Sequence, residues 1–417
     1  MNLAEELKRR GLIEHSSAPV EVIFKEPRTV YLGIDPTADS LQIGNLAVVL
    51  LMKRLALAGH KLIFLVGGGT GMIGDPREKG ERVLLDEKTL ARNTRALSKQ
   101  LYKLLPGTPF RMLDNAAWLT RLGLVPFLRE IGKLFTVNDL VKRDIIARRL
   151  ATPDESISFT EFSYALLQGY DYLVLNEKYK CDLQIGASDQ WTNILSGVEL
   201  IRKRAGREAY AFTMPLITDS MGKKFGKSEG NAVWLDPLKT TPFVFYQFWL
   251  NVPDEGIEKY LKVYTFLPLA EIEALVERQR KAPNEREGQK ALARLVSALA
   301  HGETTANHVA LAAEALFGPT PFEELSREKR AIALTEAPSL KFTKADLTKG
   351  YSLIDALVAG GLASSKSDAR RLIESRGITL GGTIITDLNY QIGQESFNDS
   401  YALVRKGRRE VLLLVLK

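Results

Sequence analysis

The sequence is poor in cysteine and histidine, with one cysteine and four histidines among 417 residues. The single cysteine, Cys181, excludes an internal disulfide framework and is typical of a reducing compartment, so we expect a cytoplasmic location. Four scattered histidines and one thiol are too few for a structural zinc site, and we expect no metal held by the protein itself. No segment reaches the ~18 unbroken apolar residues of a membrane-spanning helix, so no membrane partner is expected.

The charged residues are in slight basic excess. Lysine and arginine number 57 and aspartate and glutamate 50, which gives a net charge of +7. Such a balance is compatible with a polyanionic partner such as nucleic acid, although a solvated basic surface explains it equally well.

Two apolar runs near the N-terminus, VYLGI (30–34) and KLIFLVGGG (61–69), flank a stretch with helical spacing of its apolar residues. Strand, helix and strand within about 40 residues indicate a βαβ unit, and runs that are apolar throughout are typical of strands buried on both faces. The alternation continues to residue 216. We therefore predict an α/β domain with a parallel sheet over residues 1–216.

The rest of the chain changes character three times. Residues 217–240 contain a lysine-rich glycine loop, and residues 241–333 show helical periodicity with charged outer faces. Residues 334–350 are polar and aperiodic, which predicts a linker. Residues 351–417 predict a small α+β unit with two helices, a hairpin around Gly381-Gly382 and two further strands.

The segment YLGIDPTADSLQIGNL (31–46) predicts a strand ending at Gly33-Ile34 and a helix beginning near Ser40. Amide groups at a helix start favour anions, and Gly44 would let a nucleotide approach the backbone closely. The segment equally fits a βα turn in which Ser40 is only the helix N-cap.

The segment LVGGGTGMIGDP (65–76) contains a formal G-x-G-x-x-G match from Gly69 to Gly74 after a strand. That pattern raises the possibility of a dehydrogenase with a dinucleotide site. The polar DPREKGER that follows disfavours it, since a dinucleotide fold would continue into a helix on the sheet. No catalytic histidine or Tyr–Lys pair stands out either.

Two further segments place polar side chains where a ligand could bind. Tyr164, Gln168 and Asp171 are spaced i, i+4, i+7 and share one face of a predicted helix. This face fits either a site or solvent. The strand of LQIGASDQW (183–191) ends at Asp189 and Gln190, at the edge where open α/β sheets bind ligands, although a structural turn fits as well.

The segment MGKKFGKSEGN (221–231) gathers three lysines and three glycines. Lysines on a glycine loop suit a phosphate or pyrophosphate, and the alternative is a solvated basic loop.

Together, in this order and spacing, these five segments resemble bacterial tyrosyl-tRNA synthetases, which are class I synthetases. QIGN (42–45) corresponds to the family's HIGH signature and KFGKS (224–228) to KMSKS. The resemblance extends over essentially the whole chain. It implies a Rossmann-like parallel-sheet catalytic domain, then an all-α domain on the anticodon side, then a small α+β RNA-binding domain.

The resemblance also implies residue roles. The tyrosine site would comprise Tyr31, Asp75, Tyr164, Gln168, Asp171 and Gln190, with Tyr31 and Asp171 on the phenolic hydroxyl. ATP would be bound by Gly33, Asp35, Gly44, Asp189, Phe225, Gly226 and Lys227. Catalytic contacts to the phosphates would come from Thr37, Gln42, Asn45, Lys224, Lys227 and Ser228, with help from Lys79 and Arg82. ATP would be a substrate and arrive with Mg²⁺.

Two departures from the family pattern concern the phosphate and ribose contacts. Both signature histidines are replaced, by Gln42 and Asn45, whose amides can still donate hydrogen bonds. Leu32 stands where relatives often have a small polar residue. The altered signature keeps one alternative open, a synthetase paralogue that has lost charging activity and serves as an RNA-binding protein.

The last unit carries GLASSKSDARRLIESRGITLGG (361–382), which resembles an RNA-binding domain that the family shares with a ribosomal protein. Clustered cations without base-reading groups suit contact with a nucleic-acid backbone. The resemblance implies tRNA(Tyr) as partner, bound through Lys366, Arg370, Arg371, Arg405, Lys406 and Arg408. It also implies a homodimer.

Overall fold

The computed structural model describes the chain except residues 78–79, 81–82, 154, 219–224, 226, 229–230, 319, 321, 399 and 408–409. For residues 144, 227, 228, 231 and 323 it describes the backbone alone. Of the predicted site residues, Lys79, Arg82, Lys224, Gly226 and Arg408 therefore lie outside the described residues. The chain forms two compact units, one of Met1–Asp236 with Glu258–Val276 and the other of Pro237–Ile257 with Glu277–Lys417.

The first unit is built on a sheet whose described strands follow the order β1-β6-β5-β2-β3-β4. All neighbours pair in parallel except β1, which is antiparallel to β6. The two predicted apolar runs form β2 and β3, which pair side by side because both are buried on both faces. The strands are β1 (His15–Ser16), β2 (Thr29–Ile34), β3 (Lys61–Val66), β4 (Phe110–Asp114), β5 (Leu183–Ala187) and β6 (Tyr210–Met214).

Helices connect these strands, as a parallel sheet requires. The helices are α1 (Leu3–Arg9), α2 (Val20–Ile23), α3 (Ile43–Leu57), α4 (Glu87–Leu104), α5 (Ala116–Leu119), α6 (Leu124–Glu130), α7 (Val137–Leu140), α8 (Asp144–Ala151), α9 (Phe159–Tyr179) and α10 (Trp191–Ala205). Single 3₁₀ turns are formed by Thr70–Met72, Gly132–Leu134 and Ser188–Gln190. The α/β prediction for this region is confirmed.

The lysine-rich segment contains a short antiparallel pair, β7 (Lys227–Ser228) with β8 (Asn231–Ala232). Helices follow, as predicted from their periodicity. They are α11 (Pro242–Leu250), α12 (Ile257–Tyr264), α13 (Leu269–Lys281), α14 (Glu287–His301), α15 (Glu303–Phe317) and α16 (Arg327–Glu336), with 3₁₀ turns at Asp254–Gly256, Pro283–Glu285 and Phe322–Glu324. Within the part of the chain that is described, no helix has the length and apolar composition needed to cross a lipid bilayer.

The C-terminal part combines a small sheet, in the order β12-β11-β14-β15-β9, with three helices and the short pair β10–β13. Gly381 and Gly382, both with positive φ, turn the predicted hairpin between β11 and β12. The elements are β9 (Ser339–Phe342), α17 (Lys344–Thr348), β10 (Tyr351–Ser352), α18 (Leu353–Ala359), α19 (Lys366–Glu374), β11 (Ile378–Leu380), β12 (Thr383–Ile384), β13 (Gln391–Ile392), β14 (Tyr401–Lys406) and β15 (Glu410–Leu416), with a 3₁₀ turn at Gln394–Ser396.

The prediction that residues 334–350 form a linker is wrong. Ser339–Phe342 is a strand that pairs in parallel with β15, and Phe342 is buried in the core of this sheet. Thr343 and Asp346 cap α17 reciprocally, each accepting a hydrogen bond from the other's backbone amide. In β9, Leu340 and Phe342 pack on the core while Ser339 and Lys341 are exposed, and this alternation covers only four residues of an otherwise polar segment.

Candidate active site

One cavity of about 410 Å³ opens at the carboxyl ends of the parallel strands. This is the edge at which open α/β sheets bind ligands, because the loops that follow neighbouring strands converge there. The cavity gathers residues from all five signature segments of the sequence. Of the predicted tyrosine and ATP residues, those lining it are Tyr31, Gly33, Asp35, Thr37, Gln42, Gly44, Asn45, Asp75, Tyr164, Gln168, Asp171, Asp189, Gln190 and Phe225.

A buried carboxylate, Asp171, lies in this cavity with 2% of its surface exposed. Its two oxygens accept hydrogen bonds from Asn115 Nδ2 at 2.8 Å and Trp118 Nε1 at 2.7 Å. Burial raises the pKa of Asp171 to about 7, and these two bonds oppose the rise because they stabilise the charged form. The carboxylate is thus held by donors but poorly solvated, which favours a ligand that brings a further donor.

Tyr31 lies on β2 in the same cavity and is also almost fully buried. Its hydroxyl lies near the side chain of Gln184, a hydrogen-bonding neighbour that acts to lower its pKa. The pKa of Tyr31 is raised well above its usual value by burial and, to a lesser degree, by the nearby charge of Asp171. Tyr31 and Asp171 thus place a hydroxyl and a carboxylate, both poorly solvated, in one cavity, and such a pair suits a ligand that brings a hydroxyl of its own.

A chain of hydrogen bonds connects Asp171 to the first signature segment. Asn115 Nδ2 donates to Thr70 Oγ1 at 2.9 Å, and Thr70 Oγ1 donates to Asp35 Oδ1 at 2.8 Å. The other oxygen of Asp35 accepts from the Tyr164 hydroxyl at 2.9 Å. Burial raises the pKa of Tyr164 well above its usual value, with Asp35 as the next cause, so its hydroxyl stays a donor.

The glycines after β3 allow this network to pack closely. A Cβ at position 67 would lie 2.0 Å from Asp35 Oδ1 and 2.4 Å from Thr70 Oγ1. One at position 69 would lie 3.0 Å from Leu119. The glycines thus face protein side chains, and Thr70–Met72 is a 3₁₀ turn rather than the start of a helix on the sheet. These features disfavour the dinucleotide interpretation.

A second carboxylate, Asp75, is held by two amides that follow β5. Gln190 Nε2 donates to Asp75 Oδ2 at 2.8 Å and Asn193 Nδ2 donates to Oδ1 at 3.0 Å. Arg143 in turn donates to Asn193 Oδ1 at 3.2 Å and to Ser196 Oγ at 2.5 Å. Burial lowers the pKa of Arg143 to about 10, and the charge of Asp75 opposes this shift.

Helix α3 begins two residues later than Ser40 as N-cap would require, so the prediction of Ser40 as N-cap is wrong. Gln42 is the N-cap, and its backbone amide donates to Asn45 Oδ1 at 3.0 Å. Because that oxygen is occupied as an acceptor, the amide NH₂ of Asn45 remains as its donor. The hydroxyl of Ser40 instead makes tertiary hydrogen bonds, which no local pattern announces.

Phe225 anchors the described part of the lysine-rich segment. Its ring stacks on Tyr260 of α12 with centroids 4.3 Å apart, and its backbone amide donates to the carbonyl of Ile217 at 2.9 Å. Only 8% of Phe225 is exposed. Lys227 and Ser228 lie in β7, where the backbone alone is described.

The predicted tRNA-contacting cations lie in the C-terminal part, on and beside α19 and β14. Three of them are in ion pairs on the surface, Lys366 with Asp355 at 2.7 Å, Arg371 with Asp368 at 2.6 Å and Lys406 with Glu410 at 3.0 Å. Ion pairs on the surface are weak because water and salt screen them, so they leave these cations available to a phosphate.

Sequence reasoning missed the residues that hold the buried carboxylates. Asn115, Trp118, Asn193 and Arg143 lie in no signature that it used, and Thr70 lies in the segment 65–76 but was given no role. One signal was present for Asn115, which directly follows the strand FRMLD (110–114) and so lies at the ligand-binding edge of the sheet. The others are brought in by contacts between distant segments.

Comparison with known proteins agrees with this geometry. Residues 25–318 match the family model for class I tRNA synthetases (W and Y), and residues 331–414 match the model for the C-terminal domain of tyrosine–tRNA ligases. The tyrosine–tRNA ligase of Roseiflexus castenholzii is 44% identical, with 99% of each chain covered, and that of Leuconostoc citreum is 43% identical, with both chains covered completely.

Among solved structures, a C-terminally truncated mitochondrial tyrosyl-tRNA synthetase from Aspergillus nidulans is 31% identical. It superposes with a TM-score of 0.68 over 75% of this chain and 94% of its own. The match of both family models, together with relatives above 40% identity over the whole length, leads to one conclusion. The chain belongs to the class I tRNA synthetases of the tryptophan and tyrosine type, and within them to the tyrosine–tRNA ligase family.

Proposed function

We propose that this protein activates L-tyrosine with ATP to tyrosyl-adenylate and pyrophosphate, and then transfers tyrosine to the 3′ end of tRNA(Tyr). The observation that carries the proposal is the buried pair of Tyr31 and Asp171 in the cavity. A phenolic hydroxyl placed between them donates to the Asp171 carboxylate and accepts from the Tyr31 hydroxyl. A purely RNA-binding paralogue has no use for such a pair.

The amino-acid end of the substrate meets the second carboxylate. Its ammonium group is bound by Asp75, Tyr164 and Gln168, while Gln190 lies near its carboxylate. Because Asp75 already accepts from two amides, its position is fixed before the substrate arrives, which reduces the entropy cost of binding. Arg143 stabilises this arrangement by donating a hydrogen bond to Asn193.

ATP occupies the other half of the cavity. Asp35, Asp189, Gly33 and Gly44 bind the nucleoside, together with Phe225. Gly226, which lies outside the described residues, is assigned the same role by the family resemblance. The phosphates are met by the donors of Thr37, Gln42 and Asn45, and by Lys224, Lys227 and Ser228, with Lys79 and Arg82 as helpers. The tyrosine carboxylate attacks the α-phosphorus in line and pyrophosphate leaves. No protein nucleophile takes part, so catalysis consists of positioning and charge stabilisation.

Magnesium would arrive with ATP and be held mainly by its phosphates. The carboxylates of Asp35, Asp75 and Asp171 already accept hydrogen bonds from protein donors, so they do not form a cage for a cation. When bound, the ion would supply charge neutralisation on the phosphates.

The tRNA is anchored by the C-terminal cations, with Lys366, Arg370 and Arg405 as representative members of the cluster. They contact the phosphate backbone without reading bases. We also propose that the protein acts in the cytoplasm, which rests on its single free cysteine, Cys181.

A trapping experiment tests the two steps separately. Protein incubated with labelled tyrosine and ATP should retain a bound tyrosyl-adenylate through rapid gel filtration. Subsequent addition of tRNA(Tyr) should move the label into acid-precipitable tRNA. Retention without transfer would contradict the second step, and no retention in a protein that binds RNA would favour the paralogue without charging activity.

We further propose that two copies of the chain form a homodimer. The family resemblance implies it, and large apolar side chains are exposed between residues 124 and 159, a composition typical of interaction surfaces. They are Leu124, Val125, Leu128, Val137, Leu150 and Phe159.

Sedimentation equilibrium tests this proposal. Val125→Asp should shift the protein from twice the chain mass to the chain mass. Leu57→Asp, which changes an equally exposed apolar residue at the end of α3, should not. A wild-type protein that is monomeric at micromolar concentration would contradict the dimer.

A further inference from the structure

Helix α4 faces the turn that precedes α3 with two side-chain amides one heptad apart, Asn93 and Gln100. Asn93 Nδ2 donates to the carbonyl of Pro36 at 2.9 Å. Gln100 Oε1 accepts from the backbone amide of Leu41 at 2.8 Å, and its Nε2 donates to Ser40 Oγ at 2.9 Å. Residues seven apart lie on the same helix face, so this face supports both ends of the turn.

The Ser40 hydroxyl joins three segments. Besides accepting from Gln100, it accepts from the backbone amide of Asp236 at 3.1 Å and donates to the carbonyl of Leu41 at 3.0 Å. A hydroxyl has one hydrogen and two lone pairs, so Ser40 uses its full capacity. Only 4% of its surface is exposed, and water is poorly placed to replace these bonds.

The segment Val233–Asp236, which follows the lysine-rich loop, runs antiparallel to this same turn. Ile43 donates from its backbone amide to the carbonyl of Val233 at 3.2 Å, and Leu235 donates to the carbonyl of Leu41 at 2.9 Å. Gln42 and Trp234 form the bridge between these two bonds. The start of α3 is therefore fixed on one side by α4 and on the other by the chain that leaves the lysine loop.

From these contacts we infer that Gln100 and Ser40 are positioning residues for the phosphate half of the reaction. They touch no reacting atom. They fix the backbone at residues 40–42 relative to Val233–Asp236, the segment that follows the lysine loop. They thereby position Gln42, whose side-chain amide is the proposed donor to the phosphates. The inference rests on the proposed function, since it assigns these contacts to pyrophosphate departure rather than to folding alone.

The geometry separates this role from tyrosine recognition. The network around Asp171 and Asp75 is built from α9, the start of α5, the 3₁₀ turn after β5 and α10. It shares no hydrogen bond with Gln100 or Ser40 among the bonds described. Loss of the hydrogen bonds of Gln100 should shift the side-chain amide of Gln42. It should not shift the phenol pocket, which is the pair of Tyr31 and Asp171. A donor misplaced by a fraction of an ångström loses much of its effect on transition-state charge.

Single-turnover formation of tyrosyl-adenylate at saturating ATP tests the inference, with tyrosine Kd measured on the same samples. Gln100→Ala and Ser40→Ala should each lower the rate about tenfold and leave the tyrosine Kd within twofold. The double variant should lose less than the product of the two single losses, because the two changes share the Gln100–Ser40 bond. Ser40→Thr keeps the hydroxyl and should recover most of the rate.

Controls keep the outcomes distinct. Lys99→Ala, an exposed change on the neighbouring position of α4, should retain the wild-type rate. Gln100→Glu keeps the acceptor for Leu41 but loses the donor for Ser40, and it provides an intermediate case if Gln100→Ala does not fold. Rates within twofold of wild type, or a tyrosine Kd that rises in step with the rate loss, would overturn the inference. Absence of adenylate in the wild-type protein would instead refute the proposed function.

Discussion

The side-chain amide of Asn115 donates a 2.8 Å hydrogen bond to Asp171, although the two residues are 56 positions apart in the sequence. The carbonyl oxygen of the same amide accepts from the backbone amide of Gly69 at 2.7 Å, so the orientation of Asn115 is fixed at both ends. The carboxylate in the phenol pocket is therefore positioned by the loops after β3 and β4, not by its own helix alone.

Asp171→Ala should abolish recognition of the tyrosine hydroxyl. A hydrogen bond to a buried charge is worth up to ~3 kcal/mol, so kcat/KM for tyrosine should fall about 100-fold while that for phenylalanine changes little. Pyrophosphate exchange with each amino acid measures both values. If the variant retains the wild-type preference for tyrosine over phenylalanine, Asp171 does not bind the phenol.

Tyrosine affinity should depend on pH through Asp171. Its pKa is raised to about 7, mainly by burial, so the carboxylate that accepts the phenol hydrogen becomes the minor form below pH 7. The tyrosine Kd should therefore rise as the pH falls, approaching tenfold per pH unit below the midpoint. Calorimetric titration between pH 5.5 and 8.5 measures it.

The variant Asn115→Ala makes this prediction more specific. The bond from Asn115 lowers the pKa of Asp171, so its removal should move the midpoint to higher pH. Asp171→Asn, which cannot titrate, should show a flat profile. An unchanged midpoint in Asn115→Ala would mean that another group controls the pH dependence.

Gln42→His with Asn45→His, which restores the family's usual signature, should change the activation rate by about tenfold or less. Both positions already supply amide donors, and in the structure the acceptor oxygen of Asn45 is occupied by the backbone amide of Gln42. Pre-steady-state adenylate formation gives the rate. A much larger gain would indicate that the natural motif is impaired and would revive the paralogue interpretation.

A chain that ends at Ala337, just before β9, should still form tyrosyl-adenylate but charge tRNA poorly. All the proposed adenylation residues precede Glu229, and the missing part carries the basic cluster. Loss of about four to six phosphate contacts should flatten the salt dependence of tRNA binding by ~0.9 in slope per contact. Filter binding at several salt concentrations measures the slope.

The truncation also removes packing contacts of residues that stay in the shortened chain, which the sequence did not indicate. Phe322 is buried and packs against the ring of Tyr401 with centroids 5.1 Å apart, and Arg330 donates to the Tyr401 hydroxyl at 3.4 Å. The shortened protein needs a circular dichroism check, and full-length Arg370→Ala serves as a milder comparison. Undiminished charging by the shortened chain would show that the C-terminal part is not the main tRNA anchor.

Much of the fold could be predicted because the strands that matter are apolar throughout. The runs 30–34 and 61–69 identify β2 and β3, and the polar residues after such strands must lie at the ligand-binding edge. The i, i+4, i+7 spacing likewise placed Tyr164, Gln168 and Asp171 on one face of α9, and all three line the cavity. These features could be predicted because the spacing of apolar and polar residues is a local property of each segment.

What the sequence could not provide are contacts between distant segments. Ser40 has the side chain of an N-cap, but bonds from Gln100 and Asp236 use its capacity and the helix begins later. Strand β9 alternates polar and apolar residues over only four positions, and its partner is the last strand of the chain. Asn115 and Arg143 support carboxylates from loops and short helices that carry no period at all.

Tyrosine-dependent exchange of labelled pyrophosphate into ATP is the most direct test of the proposed activity. We expect exchange with tyrosine, at least 100-fold slower exchange with phenylalanine, and none above background with the other standard amino acids. Tyr31→Phe should reduce exchange with tyrosine, since the buried hydroxyl is one of the two groups on the phenol. Exchange supported by no amino acid, in a folded protein that still binds tRNA, would contradict the account.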